Sequence, residues 1–372
     1  MLIGVPKEIK NREFRAGLTP ASVREIVMHG HQVVVETQLG AGIRLTDEDY
    51  RHAGATVAET AAEVFAQADM VVKVKEPQLP ECAMLREGQL LFTYLHLAAA
   101  AEITEALIRS GSSSVAYETI TGPGGSLPLL APMSEVAGRL SIQAGAHALE
   151  RAQGGSGTLL GGVPGVAPAK VLIIGGGIVG DNAAYIAKGM GAEVTILDRS
   201  IARLRQLDID YSGRISCVYS TREAIEHYAL EADLVVGAVL LPGAAAPKLL
   251  TRDIISRMKP GSVVVDVAID QGGCFETSRA TTHEDPTYVI DEVVHYCVAN
   301  MPGAVPRTST FALNNATLPY VVKLANMGLA KAITTDADLR NGLNVHAGKV
   351  TCQPVAESLG HPYVAPAAAL TA

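Results

Sequence analysis

At 372 residues, with 48% apolar side chains and a mean hydropathy of +0.23, the chain carries enough core-forming material for two domains, which excludes disorder as a general description. A formal net charge of −8 at pH 7, with no segment of clustered Lys and Arg, points away from a nucleic-acid partner and towards small-molecule chemistry. The N-terminal stretch MLIGVPKEIKNREFR lacks an apolar run behind a basic start, and no 18-residue apolar stretch free of Gly, Pro or charge follows, so a cytoplasmic protein without a membrane partner is expected.

Aromatics are scarce, with no Trp and 5 Phe, while Ala, Val, Leu, Ile and 36 Gly dominate, the balance of short β-branched strands alternating with Ala-rich helices. The five cysteines are widely separated and form no C-x-x-C pair, so neither a disulfide framework nor a zinc site is expected.

In chain order, the first 130 residues alternate LIGV, the helical TPASVREIVMHG, QVVVE, MVVKV, QLLFTYL, the helical EITEALIRS and SVAYE. Thr19 ahead of Pro20 reads as an N-cap with proline in the first turn, and Gly30 closes that helix. After the loop TGPGGSLPLLAP (121–132), a long Ala-rich helix is expected near 134–150 with Ser134 as its N-cap, then a flexible stretch AQGGSGTLLGGVPGVAP. A second α/β domain opens with AKVLIIGGGIVGDNAAYIAKGMGAEVTILD, repeats its strand–helix units through RISCVYS, ADLVVGAVL and SVVVDVAI, and finishes near YCVANMPG. The six apolar residues among Val263–Ile269 read as one buried strand ending just before Asp270. The remainder contains one helical stretch, LPYVVKLANMGLAKAI (318–333), and too little strand pattern for a domain of its own. It is expected to complete the first domain, with the tail VAPAAALTA poorly ordered. The expected division is 1–130 plus 305–372 as a substrate domain and 131–304 as a dinucleotide-binding domain.

Gly175, Gly177 and Gly180 fit G-x-G-x-x-G between a strand and a helix, and Asp198 stands 18 residues beyond, at the end of the next strand. Glycines at those places permit a tight turn, close backbone approach to a pyrophosphate and close helix–strand packing, and the acid suits the adenosine ribose hydroxyls. The Asp198 charge favours NAD over NADP, although Arg199 and Arg203 stand close enough in sequence to accept a 2′-phosphate.

Ligands of open α/β sheets bind beyond the carboxyl ends of strands. Arg15 follows the first strand, Lys75 follows MVVKV, His96 follows LLFTYL, and Asp270 holds the matching place in the second domain. Each has a plain alternative: Arg15 as a solvated surface group, Lys75 paired with Glu76, His96 as a core histidine, Asp270 as a turn former.

The stretches GVPKEIKNREFRAGLTP, VVKVKEP, YLHLA, APMSEVAGR, GGGIVGDNAAYIAKGMGAEVTILD and DVAIDQGGCFETS together resemble those of L-alanine dehydrogenases over essentially the whole chain. The resemblance implies a Rossmann-type doubly wound parallel sheet, a second α/β domain and an active site in the cleft between them. It implies that Arg15 and Lys75 bind substrate and that His96 and Asp270 are the acid/base residues. It implies NAD contacts from Ser134, Ile178, Val179, Asp198, Arg203, Ser220, Val239, Leu240, Val267, Ala268, Ile269, Asp270, Arg279, Val298 and Met301, besides the glycine turn. Some relatives carry a late Glu and His metal pair; here those positions are Lys323 and Met327, and no metal site is expected. The implied reaction interconverts L-alanine with pyruvate and ammonia, in a homo-oligomer, by resemblance a hexamer. The rival readings are the soluble NAD-binding component of a proton-translocating transhydrogenase, a saccharopine-type dehydrogenase, and a non-catalytic NAD-binding protein.

Overall fold

The computed structural model describes residues 1–239 and 247–370. The chain divides into two compact units, Met1–Met133 with Val305–Ala372, and Ser134–Ala304.

The first unit begins with β1 (Leu2–Val5), β2 (Gln32–Glu36), β3 (Thr56–Ala58), β4 (Met70–Val72), β5 (Leu90–Thr93) and β6 (Ser113–Ala116), all paired in parallel. β4, β5 and β6 are buried at every position, as strands covered on both faces must be. The first helix, Pro20–Met28, is signalled locally: the Thr19 hydroxyl accepts from the Ser22 N–H, Pro20 stands in the first turn, and Gly30 takes φ +84° just past the end.

The second unit contains β7 (Lys170–Ile174), β8 (Glu193–Asp198), β9 (Ser216–Tyr219), β10 (Leu234–Gly237), β11 (Val263–Asp266), β12 (Thr287–Ile290) and β13 (Val293–Tyr296). Their order is β12-β13-β11-β10-β7-β8-β9, parallel except for the antiparallel edge strand β12. Strand order reverses between the parallel neighbours β7 and β10, the switch point at which such sheets bind ligands.

The C-terminal segment supplies β14 (Leu343–His346) and β15 (Lys349–Val350) to the first sheet, in the order β15-β14-β6-β5-β4-β1-β2-β3. Both pair antiparallel, so the sheet is mixed, and its switch point falls between β1 and β4.

Several local expectations are corrected. β11 ends at Asp266, and Val267–Gln271 is a 3₁₀ turn: the Asp266 carboxylate accepts from the Ala268 N–H at 3.2 Å, which closes the backbone locally. Val267, Ala268, Ile269 and Asp270 therefore stand on a turn beyond the strand. The Ala-rich helix runs Ala131–Ala148, so Ser134 is inside its first turn and is not the cap; the turn is started by Leu127, whose carbonyl accepts from Ala131 N at 3.0 Å. The stretch expected to be flexible is tied down by Ser156 N to Gly261 O (2.8 Å), Gly157 N to Leu149 O (2.8 Å) and a Val163–Val166 bridge. The late helix is longer than expected, Pro306–Met327, and Gly328 at φ +70° separates it from Leu329–Thr335. The tail is also pinned: Val364 N donates to Val350 O at 3.0 Å and Pro366–Ala369 forms a short helix with Ala369 buried. Among the described residues, no helix is long and apolar enough to cross a membrane.

Candidate active site

In the first unit, the segments leaving β1 and β4 meet at the switch point. Arg15 is 3% exposed, so the solvated reading fails. A buried guanidinium needs a counter-charge, and Glu13 supplies it, accepting from Nε at 2.7 Å and from Nη2 at 2.6 Å, while Nη1 lies 3.1 Å from Met133 Sδ. The loop itself is held by the helix Pro306–Met327, where Thr310 Oγ1 accepts from Ala16 N (3.1 Å) and Asn314 Oδ1 from Thr19 N (2.7 Å). Gly17 is required here because a Cβ would stand 2.7 Å from the Val72 carbonyl.

β4 ends at Val72, so Lys75 is the third residue beyond it. Lys73, passed over in the sequence, is fully buried and donates to Glu8 Oε2 (3.0 Å) and Glu81 Oε1 (2.7 Å). Glu8 Oε1 also accepts from Val74 N at 2.6 Å and Lys75 N at 3.4 Å, which ties the two strand exits together. Burial works against the Lys73 ammonium, but Glu8 and Glu81 hold it above the usual lysine range. Glu76 pairs with Lys10. Lys75 is half-buried and its carbonyl accepts from the Thr93 hydroxyl at 2.8 Å.

His96, three residues past β5, is exposed, which rules out the core-histidine reading, and it adopts φ +51°, ψ +39°. A non-glycine residue in the left-handed region needs outside support. Glu118 provides it: Oε1 accepts from His96 N at 2.6 Å and both oxygens from Leu95 N at 3.2 Å, and Oε1 is 3.8 Å from His96 Nδ1. The imidazole stacks parallel to Tyr94 with ring centres 5.9 Å apart.

In the second unit the glycine turn lies at the β7/β10 switch point. Gly175 has φ +107°, and a Cβ there would sit 2.6 Å from Ala238 O; one at Gly180 would sit 1.8 Å from Gly175 O. Gly177, which precedes the helix Ile178–Gly189, faces open space, leaving a cradle that a side chain would fill. Ile178 is exposed beside it and Val179 half-buried. Asp198 Oδ2 accepts from Gly176 N and Oδ1 from Ser200 N, each at 2.7 Å. Arg203 donates through Nε to Gly176 O (2.6 Å) and through Nη2 to Asp181 Oδ2 (2.7 Å), so it braces the turn. Ser220 N donates to Asp198 O at 3.0 Å, and Val239 follows β10 against Gly175. Leu240 lies outside the described residues. These groups fit the pyrophosphate and ribose of a dinucleotide.

Asp270 is exposed on its 3₁₀ turn, with Oδ2 3.4 Å from Asn300 N. Arg279 lies over the Tyr288 ring at 4.0 Å and its N–H donates to the Tyr288 hydroxyl. Val298 and Met301 are buried. Cys274 is buried, and burial with the Asp266 carboxylate pushes its thiol well up, the opposite of an activated nucleophile. Lys323, one of the two late positions singled out in the sequence, donates to Asp336 Oδ2 at 2.5 Å.

The model of the alanine dehydrogenase/PNT N-terminal domain matches residues 4–137 and that of the C-terminal domain residues 141–353. The chain belongs to the alanine dehydrogenase/PNT family. An alanine dehydrogenase of Halomonas elongata is 61% identical over 364 residues, 98% of each chain. A solved L-alanine dehydrogenase superposes with a TM-score of 0.94 at 55% identity, covering 97% of this chain and 99% of that one. A transhydrogenase structure from Sinorhizobium meliloti, at 24% identity and TM-score 0.82 over 95% and 99% of the chains, shares the fold. As a member of the alanine dehydrogenase/PNT family with this fold, the chain is an oxidoreductase that works with a nicotinamide cofactor.

Sequence reasoning missed Glu8, Glu13, Lys73, Glu81 and Glu118, all support for the family's candidate site residues. One signal was present: Lys73 interrupts the apolar run VVKV, where an unpaired ammonium is not tolerated.

Proposed function

We propose that the chain catalyses NAD-dependent oxidative deamination of L-alanine to pyruvate and ammonia, and its reverse. The observation that carries the reading is Arg15, a guanidinium buried at the first sheet's switch point and held there by Glu13, which suits a small carboxylate ligand. The Arg15 guanidinium, oriented by Glu13 through Nε and Nη2, would bind the substrate carboxylate, and Lys75 adds a point charge.

The bound dinucleotide supplies the hydride acceptor; Gly175, Gly177, Gly180 and Asp198 are the groups that would hold it, with Ser134, Ile178, Val179, Ser220, Val239, Leu240, Arg279, Val298 and Met301 as further contacts. Asp198 in place of a neutral residue favours NAD, because a 2′-phosphate would meet a carboxylate, and Arg203 is turned to Gly176 and Asp181. The Cα–H of alanine leaves as hydride, giving the imine. His96 then takes a proton from the attacking water and returns it to the carbinolamine nitrogen, and as the hydroxyl gives up its own proton the C–N bond breaks to give pyruvate and ammonia. Asp270 exchanges protons with the amine or the water.

Identities of 55–61% to alanine dehydrogenases, against 24% to the transhydrogenase, favour this reading over the rivals. We assign the protein to the cytoplasm as a homo-oligomer, a hexamer by resemblance. The test is NADH formation over a panel of L-amino acids: alanine alone at high rate supports the reading, and silence with alanine overturns it. Asp270→Asn should lower turnover by orders of magnitude with NADH binding intact; unchanged turnover returns Asp270 to a turn former. His96→Ala that keeps the shape and height of the pH–rate profile removes His96 from the mechanism.

A further inference from the structure

Asp266, the last residue of β11, is fully buried and carries a carboxylate with five donors on it, all from the next twelve residues. Oδ1 accepts from Ala268 N (3.2 Å) and Cys274 Sγ (3.4 Å); Oδ2 accepts from Cys274 N (2.9 Å), Phe275 N (3.2 Å) and Ser278 Oγ (2.5 Å). Those donors bracket Asp270, which stands between Ala268 and Cys274. The loop is shaped to reach the carboxylate: Gly272 and Gly273 take φ +86° and +74°, and a Cβ on Gly273 would come within 2.7 Å of Asp266 Oδ2. At the outer side, Lys248 Nζ donates to the carbonyls of Gly272 (2.6 Å) and Gly273 (2.8 Å).

A carboxylate accepts at about four lone-pair sites and offers no donor, so this pocket of N–H, O–H and S–H groups suits a carboxylate better than an amide; burial pushes the Asp266 carboxyl up, and the bonds from Ser278, Cys274 and Phe275 work against that rise. Val267–Gln271 is a single short 3₁₀ turn, whose own hydrogen bonds are too few to fix the direction of an exposed side chain. We infer that Asp266 is a positioning residue for Asp270: its carboxylate gathers the loop and thereby fixes where the Asp270 carboxyl stands during proton exchange. The inference rests on the acid/base reading of Asp270.

An Asn at 266 keeps the shape but turns an NH₂ toward two or three of these donors, depending on which oxygen it replaces. In the full-length enzyme, Asp266→Asn should lower kcat about 30-fold, with KM for pyruvate and the Kd for NADH within about threefold of wild type. Put into an Asp270→Asn background, the same change should cost no more than about twofold further, because its effect passes through Asp270. Ser278→Ala, which removes one donor, should lower kcat about threefold and serves if Asp266→Asn does not fold. Unchanged kcat in both single variants overturns the proposal, as does a full additional loss in the Asp270→Asn background, which would mark a general structural role. If Asp270→Asn alone keeps its turnover, the acid/base reading fails first, and that result is separate from the outcome at Asp266.

Discussion

Glu13 and Arg15 form a two-pronged pair, Oε1 to Nε at 2.7 Å and Oε2 to Nη2 at 2.6 Å, with the two side chains 1% and 2% exposed. Two residues apart in sequence, they share one loop, so the guanidinium is presented by its immediate neighbour. Burial works against the charge on Arg15, and the Glu13 carboxylate outweighs it, holding the guanidinium above its usual range. Removing one partner of such a pair leaves an uncompensated buried charge, which costs about 3–5 kcal/mol. Glu13→Gln should therefore lower stability by about 3 kcal/mol in urea unfolding and raise KM for pyruvate more than it changes kcat. Wild-type KM in the folded variant would count against Arg15 as the carboxylate anchor.

Two glycines of one fingerprint should respond oppositely to the same substitution. A Cβ at Gly177 meets nothing, so Gly177→Ala should keep the apo fold within about 1 kcal/mol and weaken NADH binding about tenfold or more by occupying the cradle. A Cβ at Gly180 would stand 1.8 Å from the Gly175 carbonyl, so Gly180→Ala should lower the apo melting temperature itself. Thermal melts with and without NADH separate the two.

Glu118 holds the left-handed backbone at His96 through acceptors for Leu95 N and His96 N. That conformation costs roughly 1–2 kcal/mol without support. Glu118→Ala should lower kcat about tenfold, while Glu118→Gln, which keeps an acceptor, should retain most of it. Equal losses in both would show that charge at Glu118 matters more than its backbone bonds.

Stability should also fall on the alkaline side for a traceable reason. Burial pushes the Tyr296 phenol up from 10.0 to about 12. A raised phenol pKa means the folded state prefers the neutral form, so its contribution is complete below pH 10 and is lost as pH rises from 10 to about 12. Two units correspond to roughly 2–3 kcal/mol. Tyr296→Phe should flatten the fall in unfolding free energy across that window; an unchanged slope would assign the loss to other groups.

The strand–helix alternation, the glycine turn and the positions of Lys75 and His96 just beyond strands were legible because each leaves a local mark: periodicity, a required glycine, or a polar residue ending an apolar run. The end of β11 was not, since Val267–Ile269 is as apolar as the strand before it and the turn is set by the Asp266 side chain. Lys73, Glu8 and Glu81 were hidden for a different reason: they look like three ordinary surface charges until the fold buries them against one another. Arg15 was ambiguous in KEIKNREFR because exposure of a charged run depends on what packs over it, here the helix Pro306–Met327 from the far end of the chain.

That last dependence has a consequence for how the protein is made. β6 receives its neighbour β14 only after the whole second unit has left the ribosome, so for most of synthesis the first sheet carries a bare, fully buried-type edge and a substrate loop without Thr310 and Asn314 beneath it. The continuous second unit can finish first. The nascent chain therefore completes its second unit before its first, with an emerging edge that must be kept from neighbouring chains until the C-terminal segment arrives.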